Sequence, residues 1–145
     1  MNITRILVPV DFSSSSMAAL ETACDLARRF QAPIDLLTVV EPLPPSADLL
    51  LLNSFEQISQ QSRDELASLK VPDPAITVRK VTRIGYPAQV ITDYAEQEGV
   101  DLIVIGTHGR TGLSHLLMGS VAEHVVRTAR CPVFVARIQP KSAAA

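Results

Sequence analysis

The chain lacks any block of basic residues: 13 lysines and arginines stand against 15 acidic side chains in 145 residues. A net charge of −2 gives no support to nucleic-acid binding through phosphate neutralisation. No apolar run approaches the length that crosses a membrane, and the first residues contain no apolar signal-peptide core. We therefore expect a cytoplasmic protein that contacts neither nucleic acid nor a membrane.

Cysteine is also scarce. The two cysteines, Cys24 and Cys131, have no Cys or His neighbour at the spacing of a zinc site. Cys24 falls on an apolar helical stripe and Cys131 directly precedes Pro132, so we expect both to serve packing.

Three common ligand or catalytic loops are absent from the sequence. There is no Gly-Lys pair, which excludes a Walker A loop, and no Gly-x-Gly, which excludes the dinucleotide fingerprint. There is also no Gly-x-Ser-x-Gly elbow to support a serine hydrolase.

What the chain does contain is a regular alternation of strand and helix patterns that closes on a fifth strand. Strands are predicted over 5–10, 34–40, 76–82, 101–105 and 132–136. Helices are predicted from the serines at 13–16 to residue 30, over 47–70, over 87–98 and from 120 onward. Crossovers of this length force parallel pairing. We predict an α/β fold: one doubly wound open sheet of five parallel strands, order 3-2-1-4-5, with helices on both faces. Residues 1–140 form the domain and 141–145 a flexible tail.

Apolar residues recur at helical spacing in all four predicted helices. In the second helix we expect Leu49, Leu52, Phe55 and Ile58 to be buried. The leucine run 49–52 is wider than one stripe needs. We expect these leucines to be buried. The alternatives are that they cover a pocket or contact a partner protein. In the last helix the expected buried face is Val121, Ala122, Val125, Val126 and Ala129.

The stretch 101–120 combines a buried strand, a loop with glycines at 106, 109, 112 and 119, and a helix start at Ser120. Backbone N–H groups of such a loop can approach a phosphate, and the following helix presents its positive end. Two alternatives stay open: a glycine-rich connection that binds nothing, and a capping box formed by Ser120 and Glu123.

Ligands of doubly wound sheets bind beyond the carboxyl ends of the strands, where the strand order reverses. If the first and fourth strands flank that point, their ends are 9–11 and Gly106. These two strand-to-helix joints are the most unusual ones in the sequence.

The glycines follow the pattern Gly106-x-x-Gly109, nine residues, then Gly119-Ser120. In the context Asp-Leu-Ile-Val-Ile-Gly-Thr-His-Gly-Arg, this pattern resembles the ATP-binding branch of the universal stress protein family. The segment 6–13, Gly85-x-Pro87 and the segment 131–135 extend the resemblance. It spans the chain except 43–73, where only a general helix pattern is visible.

The resemblance implies that the chain binds ATP, with a Mg²⁺ ion as an option. The binding residues that it implies are Pro9, Val10, Asp11, Val39, Ile105, Gly106, Gly109, Arg110, Gly119, Ser120, Val121 and Ala122. Asp11 would accept hydrogen bonds from the ribose or help to hold Mg²⁺, and Pro9, Val39 and Ile105 would line the adenine. The glycines and the first turn from Ser120 would donate to the triphosphate.

Chemistry alone leaves other roles open for several of these residues. Asp11 can equally cap the first helix, and Pro9 and Val39 can equally belong to the core. His108, Arg110 and His115 either help to neutralise phosphate charge or point into solvent.

The loop carries no lysine, and no residue pair in the sequence has the pattern of a general base over a water. We therefore expect a nucleotide-dependent stress-response regulator with slow or absent hydrolysis, at most a weak ATPase. The alternatives are an adenine-nucleotide hydrolase or nucleotidyl-transfer enzyme, and an interaction module with a vestigial pocket.

The final strand is apolar and is expected at a sheet edge, where exposed apolar residues favour pairing. Universal stress proteins commonly form dimers through this region. The resemblance therefore implies a homodimer with Val133, Phe134 and Val135 near the interface.

Overall fold

The computed structural model describes residues 1–108 and 118–138, and strands and helices alternate along them. The strands are β1 (Ile6–Pro9), β2 (Ile34–Val40), β3 (Val78–Ile84), β4 (Leu102–Gly106) and β5 (Val133–Ala136). The helices are α1 (Ser14–Phe30), α2 (Leu49–Ser68), α3 (Pro87–Gln97) and α4 (Ser120–Thr128). The predicted tail 141–145 lies outside the described residues.

The strands form one parallel sheet in the order β3-β2-β1-β4-β5, so the predicted fold class and strand order are confirmed. Ile6 of β1 pairs with Ile34 of β2 on one side and with Leu102 of β4 on the other. Because the chain builds the sheet outward from β1 in both directions, the switch point lies between β1 and β4.

A separate apolar core covers each face of the sheet. Alternating side chains of β1 enter the two cores: Ile6 and Val8 pack with residues of α1 and α2, and Leu7 packs with residues of α3 and α4. Cys24 is buried in the first core, and Cys131 packs against the second. Burial raises the pKa of both thiols, as is typical of cysteines that serve packing.

The apolar stripe predicted for α2 is wrong. Leu49 and Leu52 are 72% and 49% exposed and Ile58 is 55% exposed, whereas Ser59 and Leu66 are buried. Phe55 is half-buried, and the buried side chains of α2 lie only in its second half, at Ser59 and Leu66. Its first turns therefore contribute no buried side chain. Within the described residues, no helix has both the length and the apolar character needed to cross a membrane.

Two further details differ from the sequence predictions. The third strand begins two residues later than predicted, because Val78 and Ile84 pair with the first and last residues of β2. Val126 is 44% exposed, because Ala122 and Val125 already fill the face of α4 that meets the sheet.

A charged cluster joins the amino ends of β2 and β3 to the end of α3. Asp35, which is 1% exposed, accepts hydrogen bonds from Arg79 Nη2 and from the Tyr94 hydroxyl, each at 2.8 Å. Arg79 Nη2 also lies 2.9 Å from Glu98 Oε2, and Arg5 Nε lies 3.7 Å from Asp35 Oδ2. The buried carboxylate is therefore both paired and hydrogen-bonded, which its burial requires.

Burial and the hydrogen bond to Asp35 together raise the pKa of Tyr94 to about 12. Both effects favour the neutral phenol, since a phenolate would be desolvated and would face the carboxylate of Asp35. The unfolded chain releases this proton near pH 10, so the folded state binds more protons between about pH 10 and 12. Folding stability from this group is therefore complete below about pH 10 and is lost as the pH rises towards 12.

We expect Tyr94 to titrate at about pH 12 in the folded protein. Tyr86→Phe leaves Tyr94 as the only tyrosine of a chain that has two and no tryptophan. The phenolate absorbance of this variant then reports Tyr94 alone. The same variant unfolded in urea is the control and should titrate near pH 10. A folded-state midpoint that matches the urea value would show that Tyr94 is not held by Asp35.

Candidate functional site

The carboxyl ends of β1 and β4 meet at one edge of the sheet, as the sequence predicts. Leu7 pairs with Ile103, so the two strands end side by side, β1 at Pro9 and β4 at Gly106. We call the segment that leaves β1 towards α1 the first wall. Thr107 and His108, which follow β4, together with the start of α4 from Gly119, form the second wall.

The apolar residues expected around a base divide into two groups. Pro9 and Val39 are half-buried at this edge. Val10 and Ile105 are 3% and 5% exposed and belong to the two cores. The backbone of Val10 is engaged as well, since its N–H donates to the Leu37 carbonyl at 2.9 Å and its carbonyl accepts from Thr38 Oγ1 at 3.1 Å.

The first wall is built around Asp11. One carboxylate oxygen, Oδ1, accepts hydrogen bonds from both the backbone N–H and the hydroxyl of Ser13. The intervening residue, Phe12, has a φ of 65°, a left-handed conformation that a bulky side chain rarely adopts. The chain therefore turns sharply here, and the turn holds the Asp11 carboxylate against the start of α1.

Ser13, not Asp11, caps α1. Its hydroxyl oxygen accepts from the Ser16 N–H at 3.2 Å, and Ser13 has the extended backbone typical of an N-cap. The prediction that the serines cap this helix is confirmed, and the alternative of Asp11 as the cap is wrong.

The second wall begins at Gly106, where α1 leaves no room for a side chain. A Cβ at this position would lie 2.6 Å from the Ser15 carbonyl oxygen and 2.4 Å from its hydroxyl oxygen. The sequence interpretation explained this glycine by the approach of a phosphate. The structure gives it a steric requirement of its own, and the phosphate contact stays a prediction.

The two described parts of the second wall contact each other directly. The N–H of Gly119 donates to the Thr107 carbonyl at 2.6 Å, so the start of α4 lies against the end of β4. Gly119 is the N-cap and makes no side-chain cap, so the predicted capping box of Ser120 and Glu123 is wrong. Ser120 is instead the first, exposed residue of the helix.

The first turn of α4 has the chemistry of an anion site. The N–H groups of Ser120, Val121 and Ala122 have no partner within the helix, and the helix dipole is positive at this end. Glu123 in the same turn is paired with Arg127 at 2.8 Å. Gly109, Arg110 and His115 lie outside the described residues, so their predicted roles are not tested.

Sequence reasoning missed two residues that shape this edge. Thr38 is buried and holds the carbonyl of Val10, and Ser15 is buried and accepts a hydrogen bond from the His108 N–H at 3.1 Å. The run Ser13–Ser16 signalled helix capping, but one cap needs only one serine. The three serines that the cap does not need were the only sequence feature that pointed to a further role for this run.

This geometry defines a class: a doubly wound α/β domain in which a carboxylate and the positive end of a helix lie at the same edge of the sheet, at its switch point. The model of the universal stress protein family matches residues 2–137, and the chain belongs to that family. A similar relative is universal stress protein MJ0531 of Methanocaldococcus jannaschii, 37% identical over 94% of this chain and 83% of the relative.

Solved structures share the fold. Universal stress protein UspA from Lactobacillus plantarum superimposes with a TM-score of 0.79 at 31% identity, over 94% of this chain and 99% of that one. A universal stress protein from Archaeoglobus fulgidus, solved in complex with dAMP, superimposes with a TM-score of 0.59. The latter is 21% identical over 94% of this chain and 99% of that one, and shows the likeness of fold alone.

We expect Gly106→Ala to lower the free energy of unfolding by about 3 kcal/mol, because the new methyl group meets backbone atoms that cannot rotate away. Gly99→Ala is the control. Gly99 has a φ of +66° and open space around an added Cβ, so only backbone strain of about 1 kcal/mol applies. Urea unfolding of both variants measures the difference. Equal losses would contradict the close approach of α1.

Proposed function

We propose that the crevice between the two walls binds an adenine nucleotide, ATP, and that the protein is a nucleotide-dependent stress-response regulator with slow or absent hydrolysis. The observation that carries the proposal is the hydrogen bond between Gly119 N–H and the Thr107 carbonyl. It holds the positive end of α4 at the edge where Asp11 emerges from β1. The amino end of α4, which can bind an anion, and the Asp11 carboxylate thus lie at the same edge of the sheet. This arrangement suits a ligand that has a phosphate group at one end and hydroxyl groups at the other.

The two walls suit different parts of the nucleotide. The Asp11 carboxylate, anchored on Ser13, offers acceptor lone pairs to ribose hydroxyls. Pro9 and Val39 offer half-buried apolar surface to the base. The N–H groups of Ser120, Val121 and Ala122 and the Ser120 hydroxyl donate to phosphate oxygens. The choice of an adenine nucleotide as the ligand follows the glycine pattern that resembles the ATP-binding branch of the family.

Mg²⁺ fits this arrangement as a companion of the triphosphate. Mg²⁺ is commonly bound through one or two carboxylates together with substrate phosphates. Asp11 is the residue of the first wall with that chemistry. Binding through backbone donors holds a triphosphate without activating a water, which is why we propose a regulator. The cytoplasmic location stays a prediction.

We expect nucleotide-free protein to bind ATP with Mg²⁺ in calorimetry, and Asp11→Ala to weaken binding about tenfold or more. Loss of hydrogen bonds to a charged group is worth about 1.5–3 kcal/mol, and 1.4 kcal/mol is a factor of ten. Asp25→Ala is the control, because it removes an exposed carboxylate from α1 well beyond the first turn, away from both walls. No heat with ATP, ADP or AMP would disprove the proposal. Rapid ATP turnover that Asp11→Ala abolishes would favour the hydrolase instead.

We further propose a homodimer that forms through β5. This strand is an edge of the sheet, with Phe134 45% exposed and Val133 and Val135 half-buried. An edge strand with exposed apolar side chains offers unpaired backbone groups to a second copy. Pairing of two copies would cover Phe134 and continue the sheet.

Phe134→Glu is expected to convert the dimer to a monomer, because it places a buried, unpaired charge in the interface. Leu50→Glu is the control: Leu50 is 76% exposed on α2, so the same change there should leave the mass unchanged. Light scattering at micromolar concentration measures both. A monomeric parent protein, or a Phe134→Glu variant that stays dimeric, would remove the β5 interface.

A further inference from the structure

Ser15 occupies an unusual place in the fold, because it is a buried hydroxyl in the first turn of α1. It is 3% exposed, and its Oγ accepts the hydrogen bond from the His108 N–H at 3.1 Å. The Thr107 hydroxyl lies 3.5 Å from the same oxygen. Both contacts reach Thr107 and His108, so this hydroxyl links the start of α1 to the second wall.

These contacts begin a polar chain that reaches α4. Ser15 holds the N–H of His108, and the preceding residue, Thr107, accepts from Gly119 N–H through its carbonyl. Thr107 Oγ1 also lies 3.0 Å from His108 Nδ1. Ser15 therefore contacts the backbone where the chain leaves β4, at the peptide group whose carbonyl, that of Thr107, accepts the hydrogen bond from the start of α4.

The N-cap of the same helix contacts the first wall. Ser13, two residues before Ser15, donates to the Asp11 carboxylate through its N–H and its hydroxyl. Ser13 is also the cap that defines where α1 begins. One turn of helix thus makes direct hydrogen bonds to both walls of the crevice.

We propose that Ser15 is a positioning residue of the nucleotide site: its hydroxyl sets the backbone of Thr107 and His108, and thereby the phosphate-binding wall, relative to Asp11. The inference rests on the proposed function. It assigns Ser15 no contact with the ligand. Its consequence is selective, because loss of the hydroxyl loosens the phosphate wall and leaves the Asp11–Ser13 contacts in place.

The first test needs no ligand. In Ser15→Ala the His108 N–H loses its acceptor, so its amide hydrogen exchange, followed by NMR, should accelerate about tenfold. Ser14→Ala is the matched control, since Ser14 is exposed in the same turn and undergoes the same chemical change. Ser15→Cys, with a weaker acceptor, is the second variant if alanine prevents folding, and a smaller effect in the same direction is expected.

The second test separates positioning from stability. Ser15→Ala should weaken ATP binding about five- to tenfold, while adenosine binding changes less than about twofold. Cys24→Ala, in the core face of α1, should lower thermal stability without changing either affinity.

The outcomes distinguish the inference from the proposed function. Unchanged His108 exchange in Ser15→Ala, or equal losses for ATP and adenosine, would overturn the role of Ser15 while the nucleotide site stands. Accelerated exchange with unchanged ATP affinity would overturn it as well. A parent protein that binds no nucleotide would remove the proposed function, and the positioning role with it.

Discussion

Backbone hydrogen bonds hold β1 between β2 and β4, and both walls of the candidate site depend on that pairing. Ile6, Leu7 and Val8 are completely buried, and their alternating side chains bind the two helical layers to one sheet. Because β1 and β4 are parallel and in register, the segments that follow them must emerge at the same edge. The crevice is a consequence of this central strand and not of either wall alone.

The two ends of the sheet use different chemistry. At the amino end, Asp35 is neutralised by Arg79 and hydrogen-bonded to Tyr94, so the buried charge stabilises the contact between β2, β3 and α3. At the carboxyl edge, hydroxyl and backbone groups are arranged around Asp11, and the positive end of α4 supplies the preference for an anion. The same fold thus separates a structural charge cluster from the edge at which we propose that a ligand binds.

Sequence patterns predicted the parts of the fold that repeat and failed where position depends on a distant neighbour. The strand order followed from the alternation of elements, and Pro87 begins α3 as predicted. The stripe of α2 failed because helical spacing describes which residues share a face, but not which part of the helix is buried against the sheet. The cap of α4 failed because the contact between Gly119 and Thr107 starts the helix one residue earlier than the Ser120 pattern indicates.

The site shows the same division. The sheet edge of the candidate site was predictable, because glycine spacing and strand ends can be recognised from short stretches of sequence. This edge carries Pro9, Asp11, Gly106 and Ser120. The steric requirement at Gly106 and the hydrogen bond from His108 to Ser15 were not, since they join residues about ninety positions apart. The sequence by itself determined the fold class and the family, and it predicted the edge at which we propose that a ligand binds. Only the tertiary structure decided which serine caps α1, which one holds the second wall and which leucines stay exposed, because packing between distant elements selects among side chains that are locally equivalent.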